Sequence, residues 1–188
     1  MLEVRAATPA DRGAVVRVLA AAFDDDPVAR WMVPAARSLK PLFRAHVRTG
    51  NAAQQHIDLA LADGRPVGAA IWHEPGYTLA TWRQLASIPR YAVALRRNLP
   101  RGAALESVMH KARPHEEFWY LAGIGAVRRG EGVGTALLGH RLEQVTGSAY
   151  LESSKRENIA LYERFGFELR DSLQLPDGPE LWPMWRRG

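Results

Sequence analysis

Three glycines at alternate positions, Gly130, Gly132 and Gly134, follow Arg129 and lead into a run with Val133, Leu137, Leu142 and Val145 on or near one helical face, ended by Gly147. That arrangement suits anion binding. A helix start leaves about four backbone N–H groups without intrahelical partners and carries a partial positive charge, and glycine lets an anion come close to the backbone. The spacing is neither a Walker loop, which needs a following Gly-Lys-Ser/Thr, nor the G-x-G-x-x-G of a dinucleotide fold. A bland turn before a helix has the same composition, so the glycines gain meaning only from their neighbours. Asn158 and Tyr162 lie four residues apart, on one face of the next predicted helix, and Gly166 stands where a C-cap glycine belongs. Spacing alone fits a half-buried core tyrosine as well as a working phenol.

The elements that must position these residues follow from the pattern. Residues 2–7 alternate as a strand, and Thr8-Pro9 caps a helix running to about Phe23. Asp24, Asp25 and Asp26 read as a solvated helix end, because three consecutive carboxylates cannot converge on one metal ion without unusual backbone. A helical region over residues 28–49 is interrupted near Pro34 and Pro41. Residues 56–61 and 67–72 form an antiparallel hairpin about Asp63-Gly64-Arg65-Pro66. Residues 77–109 are helical in pattern with breaks at Pro89 and Pro100, and Arg113-Pro114 closes them. Strands then fall at 118–126, 149–152 and 167–173, with a last extended piece near 181–185. The order predicts an α/β fold: a mixed sheet of six or seven strands with helices on both faces.

A length of 188 residues with 47% hydrophobic content fits one domain spanning residues 1–188. The chain has no cysteine, which excludes disulfides, thiolate metal sites and a cysteine nucleophile. No apolar run of 18 residues occurs and the N-terminus is charged, so the expectation is a soluble cytoplasmic protein with no membrane partner. The net charge is +5, but the basic residues are scattered rather than grouped, so no nucleic-acid partner is expected. A small polyanionic ligand accounts for the charge equally well.

A strand, then R-G-x-G-x-G opening a helix, then a strand and N-x-x-x-Y-x-x-x-G-F, resembles the acetyl-CoA-binding half of the GNAT superfamily of N-acetyltransferases. Further segments resemble the puromycin N-acetyltransferase group: Ala20-Ala21-Ala22-Phe23 with Pro27, Arg113-Pro114, Trp119-Tyr120-Leu121-Ala122, Leu151-Glu152-Ser153, Tyr162-Glu163-Arg164, and Leu175-Pro176-Asp177-Gly178-Pro179 with Trp182. The resemblance implies a mostly antiparallel central sheet, acceptor segments mainly over 23–115 and an acetyl-CoA-binding core over 116–173. It implies acetyl-CoA as co-substrate, no metal, and direct attack by a primary amine of a small molecule in a ternary complex. A puromycin-like or other antibiotic amine is among the acceptors it covers, and the protein would be a monomer or homodimer. The same motifs also suit a non-catalytic acyl-CoA-binding regulator or a protein-amine acetyltransferase.

The resemblance also carries roles. The amides of Gly130, Glu131, Gly132, Val133 and Gly134 would hold the CoA pyrophosphate, with Arg129 at the family's Arg/Gln position. Ile124, Gly125 and Ala126 would lie along the pantetheine arm, an amide near Ile124 or Gly125 polarising the thioester carbonyl. Asn158 would hydrogen-bond the pantetheine and Tyr162 would protonate the leaving thiolate. Full transfer from a phenol of pKa about 10 to a thiolate of about 8.5 is uphill by roughly 2 kcal/mol, so a hydrogen bond suffices. Glu152 leads as the general base, though a structural carboxylate satisfied by backbone amides or an arginine fits the same position. His73 and Glu74 are the next candidates, and His110 and His115 read as solvent-facing. Trp31 and Trp72, with Phe43, His46 and Trp82, are expected to wall the acceptor pocket. Trp182 and Trp185 are expected to pack on the sheet. Only Val127 and Arg128 separate Ala126 from Arg129, two residues fewer than the family usually has, which calls into question the bulge that splays this strand from its neighbour.

Overall fold

The computed structural model describes residues 1–51 and 53–188, with the backbone but not the side chain of residue 83. The first half runs β1 (Leu2–Ala6), α1 (Arg12–Ala22), α2 (Pro27–Met32), α3 (Lys40–Thr49), β2 (Gln55–Ala62), β3 (Arg65–His73), α4 (Thr81–Leu95) and α5 (Leu99–Ala112). The second half runs β4 (Trp119–Ala126), α6 (Val133–Leu142), β5 (Ala149–Ser153), α7 (Ile159–Glu163), β6 (Glu168–Leu169), β7 (Leu173–Gln174) and β8 (Glu180–Arg186). The sheet order is β1-β2-β3-β4-β5-β8-β6, with β7 also on β8, and every pairing is antiparallel except β4 with β5. Mixed, mostly antiparallel and covered on both faces, the sheet has the expected class.

The eight strands exceed the expected six or seven because the segment 167–173 is not one strand. It breaks into β6 and β7, which pair with different stretches of β8 while Arg170 N–H donates to the Pro183 carbonyl at 2.9 Å between them. Thr8 caps and Pro9 opens as predicted, but what they start is a 3-10 turn (Pro9–Asp11) leading into α1, and the Asp11 carboxylate completes the cap by accepting from Thr8 N–H at 2.8 Å. The hairpin turn is also as predicted, with Asp63 and Gly64 both at positive φ. The interruptions expected near Pro34 and Pro41 and near Pro100 are present, between α2 and α3 and between α4 and α5, but the break expected at Pro89 is not. Helix α4 packs along α3 and runs through Pro89, forgoing one intrahelical hydrogen bond; the break falls instead at Arg96, where φ is +52°. Pro41 and Pro100 occupy first turns of α3 and α5, where the missing N–H costs nothing.

Alternation along the central strands sorts side chains into two cores. Leu59, Ala69 and Ile71 face α1, α2 and α3, while Ala60, Ala70 and Trp72 face α6 and α7. Two bulges shift that alternation. Val67 is skipped in the pairing of β3 with β2, and Ala122 in the pairing of β4 with β3, so Leu121 and Ile124 both reach the second core. Bare backbone allows close packing on each side. A Cβ on Gly68 would come within 2.4 Å of Val133 in α6, and one on Gly125 within 2.7 Å of Ala22 in α1. Trp185 is buried against the sheet beside Tyr150 and Phe118, as expected.

Candidate active site

The site is a division in the sheet. Parallel pairing of β4 with β5 covers only Trp119–Leu121 against Ala149–Leu151; after the bulge at Ala122 the strands diverge. From 122 to 126 the β4 edge that would face β5 has no strand partner, so its N–H and C=O groups open into a cleft of about 1900 Å³. The shortened loop therefore leaves the splay intact. Ile124, Gly125 and Ala126 line this cleft, and so do Gly130, Gly132, Val133, Gly134, Asn158 and Tyr162.

Beyond β4 the chain turns sharply through Gly130 and Gly132, at φ of +77° and +74°, and Gly132 caps α6. A Cβ at either glycine would meet nothing within 4 Å, so both backbones are open to a ligand. The first amides of the ten-residue α6 lie beside them without intrahelical acceptors; Ala136 N–H is the one that returns to the Gly132 carbonyl. Glu131 differs from its neighbours: its carboxylate accepts from Arg128 at 3.4 Å and its side chain lies outside the cleft lining. Arg129 donates to Asp25 at 2.5 Å, and Lys155 donates to the same oxygen at 2.7 Å. Both cations hold the Asp25 carboxyl well below its ordinary range.

The reading of the acidic triplet as a solvated helix end holds for Asp24 and Asp25, which are exposed just after α1, and is corrected for Asp26. Asp26 is buried, caps α2 by accepting from Ala29 N–H at 2.8 Å, and accepts from the Ser154 hydroxyl; Asp24 pairs with Arg30. The three carboxylates tie the start of α2 to the loops on either side of the cleft. Tyr162 is buried among the second core cluster and lines the cleft, its pKa raised first by burial and then by the charge of Asp26. Asn158 and Tyr162 do not share one regular helix. Asn158 ends a 3-10 turn and α7 has five residues, closed at Gly166, where φ is +80°.

At the other end of the cleft β5 turns Leu151 into the second core and Tyr150 and Glu152 to the opposite face. The Glu152 side chain is 1% exposed, lies 3.9 Å from Arg113 Nε, and neither oxygen accepts a hydrogen bond of proper geometry from the described residues. Burial pushes its carboxyl up to about 7, with Arg113 and the neighbouring Tyr120 and Tyr150 hydroxyls pulling the other way. Arg113 lies over the Tyr120 ring at 4.6 Å and its NH1 contacts Glu106 at 3.4 Å. His73 stacks on Tyr77 with centroids 3.9 Å apart, and burial, His46 and Arg113 lower its pKa to about 3.

Four expected acceptor residues thus separate. His73 lines the cleft but stays neutral; Glu74 lines it but is bound to His56 Nε2 at 2.7 Å. Trp72 is fully buried in the second core because alternation along β3 turns it away from His73, and it walls no pocket. Trp31 is also displaced from the lining, its Nε1 donating to the Asp177 carbonyl at 3.1 Å and its ring seated against Gly178. Of the other expected wall residues, Phe43 and His46 line the cleft, while Trp82 is exposed outside the lining. His110 and His115 are exposed at the cleft rim. Arg113, Tyr120 and Tyr150 were unassigned by sequence reasoning. The available signal was alternation: Tyr150 and Glu152 are two apart on one strand, and Tyr120 is in register with Tyr150.

No protein-family model matches the chain. Its structure is similar to that of a Corynebacterium glutamicum protein described as histone acetyltransferase HPA2 and related acetyltransferase, 29% identical, with a TM-score of 0.76 covering 99% of this chain and 96% of the other. It is similar to the polyamine N-acetyltransferase of Drosophila melanogaster, 14% identical, with a TM-score of 0.70 covering 100% of both chains. A protein of Desulfovibrio desulfuricans assigned to the GNAT family of acetyltransferases matches at 17% identity and a TM-score of 0.57, covering 100% of this chain and 99% of the other. With the splayed strands, the glycine turn into α6 and these likenesses, the chain has the GNAT N-acetyltransferase fold.

Proposed function

We propose that this protein is an acetyl-CoA-dependent N-acetyltransferase acting on a primary amine of a small molecule. One observation carries the reading: a single cleft joins an unpaired strand edge and a glycine turn at one end to a buried carboxylate without hydrogen bonds at the other. The donor end fits acetyl-CoA. Gly130 and Gly132 have open space beside their backbone for a pyrophosphate, next to the unpaired first amides of α6, the 122–126 edge offers backbone groups to an amide-bearing arm, and Asn158 lies in the same lining. Bound there, acetyl-CoA supplies an activated acetyl thioester.

The protein's own groups do the rest. Glu152, with its carboxyl near 7, is part ionised at neutral pH and takes the proton that an ammonium must lose before its nitrogen can attack. Tyr162 keeps its proton throughout the physiological range and donates a hydrogen bond towards the departing sulfur. The neutral hydroxyls of Tyr120 and Tyr150 and the Arg113 guanidinium surround the Glu152 carboxyl and stop its pKa rising further. The chain acts as one domain, residues 23–115 supplying most of the acceptor side and 116–173 the donor side. A puromycin-like amine is the acceptor favoured by Arg113-Pro114 and Leu151-Glu152-Ser153, which carry both the puromycin-type resemblance and the charged acceptor-end pair.

The test is thiol release from acetyl-CoA against a panel of amines including puromycin, small antibiotics, polyamines and a lysine peptide. Release dependent on a small amine supports the proposal. Retained CoA binding with no release for any acceptor makes the protein an acyl-CoA-binding regulator, and release only with the peptide makes it a protein-amine acetyltransferase.

A further inference from the structure

The acceptor end of the cleft holds more chemistry than acetyl transfer uses. A row of polar side chains crosses four elements: Glu152 on β5, Tyr120 on β4, His73 on β3 and His46 on α3. The Tyr120 and His73 rings are 5.9 Å apart, and those of His73 and His46 are 6.4 Å apart. At the far end of the row His46 Nε2 is sealed from solvent with no hydrogen-bond partner, and so is the Thr49 hydroxyl one turn further along α3, beside the hydroxyl of Tyr91. Both residues line the cleft. A buried polar atom without a partner is costly, so His46 Nε2 awaits a hydrogen bond from whatever fills the space, and the Thr49 hydroxyl beside it has, among the described residues, only Tyr91 within reach.

The charges exclude one kind of occupant. Glu152 is opposed by Arg113 at 3.9 Å, so the inner wall has no net negative charge to hold a second ammonium. Of the remaining carboxylates at this end, Glu74 is bound to His56, Glu106 faces Arg113 with its side chain 68% exposed and is the one whose charge reaches His46 and Tyr91, and Glu116 and Glu117 are exposed at the rim. Burial keeps both histidines uncharged, which favours a neutral partner over an ionic one. The same lining includes Phe43, Tyr77, Ile88, Tyr91 and Met109, apolar and aromatic groups suited to a ring.

We propose that the acceptor is a monoamine with a planar middle and a neutral hydrogen-bonding group at its remote end, such as a carboxamide or hydroxyl, which His46 and Thr49 bind while the reacting nitrogen lies at Glu152. The inference rests on the acetyltransferase reading and narrows it. Polyamines and lysine side chains on peptides fall outside this class, the first for their second cation and the second for the backbone they would have to bury.

Para-substituted benzylamines of matched shape test it: 4-(aminomethyl)benzamide, 4-(aminomethyl)benzoate, 4-(aminomethyl)benzylamine and 4-methylbenzylamine. Calorimetric binding to the CoA-loaded protein and kcat/KM for thiol release are both measured. The carboxamide is expected to exceed each of the others by about tenfold or more, the range for one satisfied buried hydrogen bond. His46→Leu brings the carboxamide-to-methyl ratio close to one, and His46→Gln, which keeps a hydrogen-bonding group, restores part of it. The inference is overturned if the diamine binds as well as the carboxamide, if the carboxamide does not bind, or if His46→Leu leaves the ratio unchanged. The two readings fail separately: selective carboxamide binding without thiol release refutes acetyl transfer alone, and equal turnover of all four compounds refutes only the narrower acceptor class.

Discussion

Glu152 is the residue whose environment says most. Its carboxyl near 7 lies above the ordinary 4.5, so between those values the folded protein holds a proton that the unfolded chain has released. Stability therefore declines as pH rises through that window, by up to roughly 3 kcal/mol for 2.5 pH units. Glu152→Gln removes the ionisation, and its melting temperature is expected to exceed that of the native protein at pH 8 but not at pH 5, while thiol release falls by at least about a hundredfold. Equal pH dependence of melting in both proteins would remove the buried charge from the account. The acid limb of kcat/KM for the native enzyme is expected near pH 7. The role proposed for Tyr162 is different, holding its proton against a leaving group, and on that proposal Tyr162→Phe is expected to lower kcat by about 10²–10⁴ with CoA affinity little changed. An unaltered kcat takes Tyr162 out of the reaction.

At the scale of elements, the bulge at Ala122 and the turn through Gly130 and Gly132 make the donor side. Gly132→Ala places an L-residue at a φ of +74°, at a cost of about 1–2 kcal/mol, and is expected to weaken CoA binding several-fold by calorimetry while kcat at saturation is largely retained. A variant with native affinity would mean the turn does not shape the donor site. Much of this element was legible in sequence, because glycine at positive φ and a following amphipathic helix are local properties. The same holds for the Asp63-Gly64 hairpin and the Thr8-Asp11 cap. What escaped was set by contacts distant in sequence. Packing on α3 carries α4 across Pro89, and two stretches of β8 divide residues 167–173. Asp24, Asp25 and Asp26 look solvated as a triplet, and only the fold brings Arg30, Arg129, Lys155 and Ser154 to them.

For the whole molecule, the decisive fact is that the proposed donor and acceptor ends line one cleft. Helices α1, α2 and α3 close one core and α6 and α7 the other, leaving the divergence of β4 from β5 as the passage between the phosphate cradle and Glu152. No cysteine is present to carry the acetyl group, and the buried Glu152 and Tyr162 lie in one lining, which supports the proposal that both substrates are bound together for transfer. The most direct test is initial-velocity thiol release with acetyl-CoA and an active amine both varied. The account predicts double-reciprocal lines that intersect, as a ternary complex requires. Parallel lines, marking an acetylated enzyme formed before the amine enters, would contradict it.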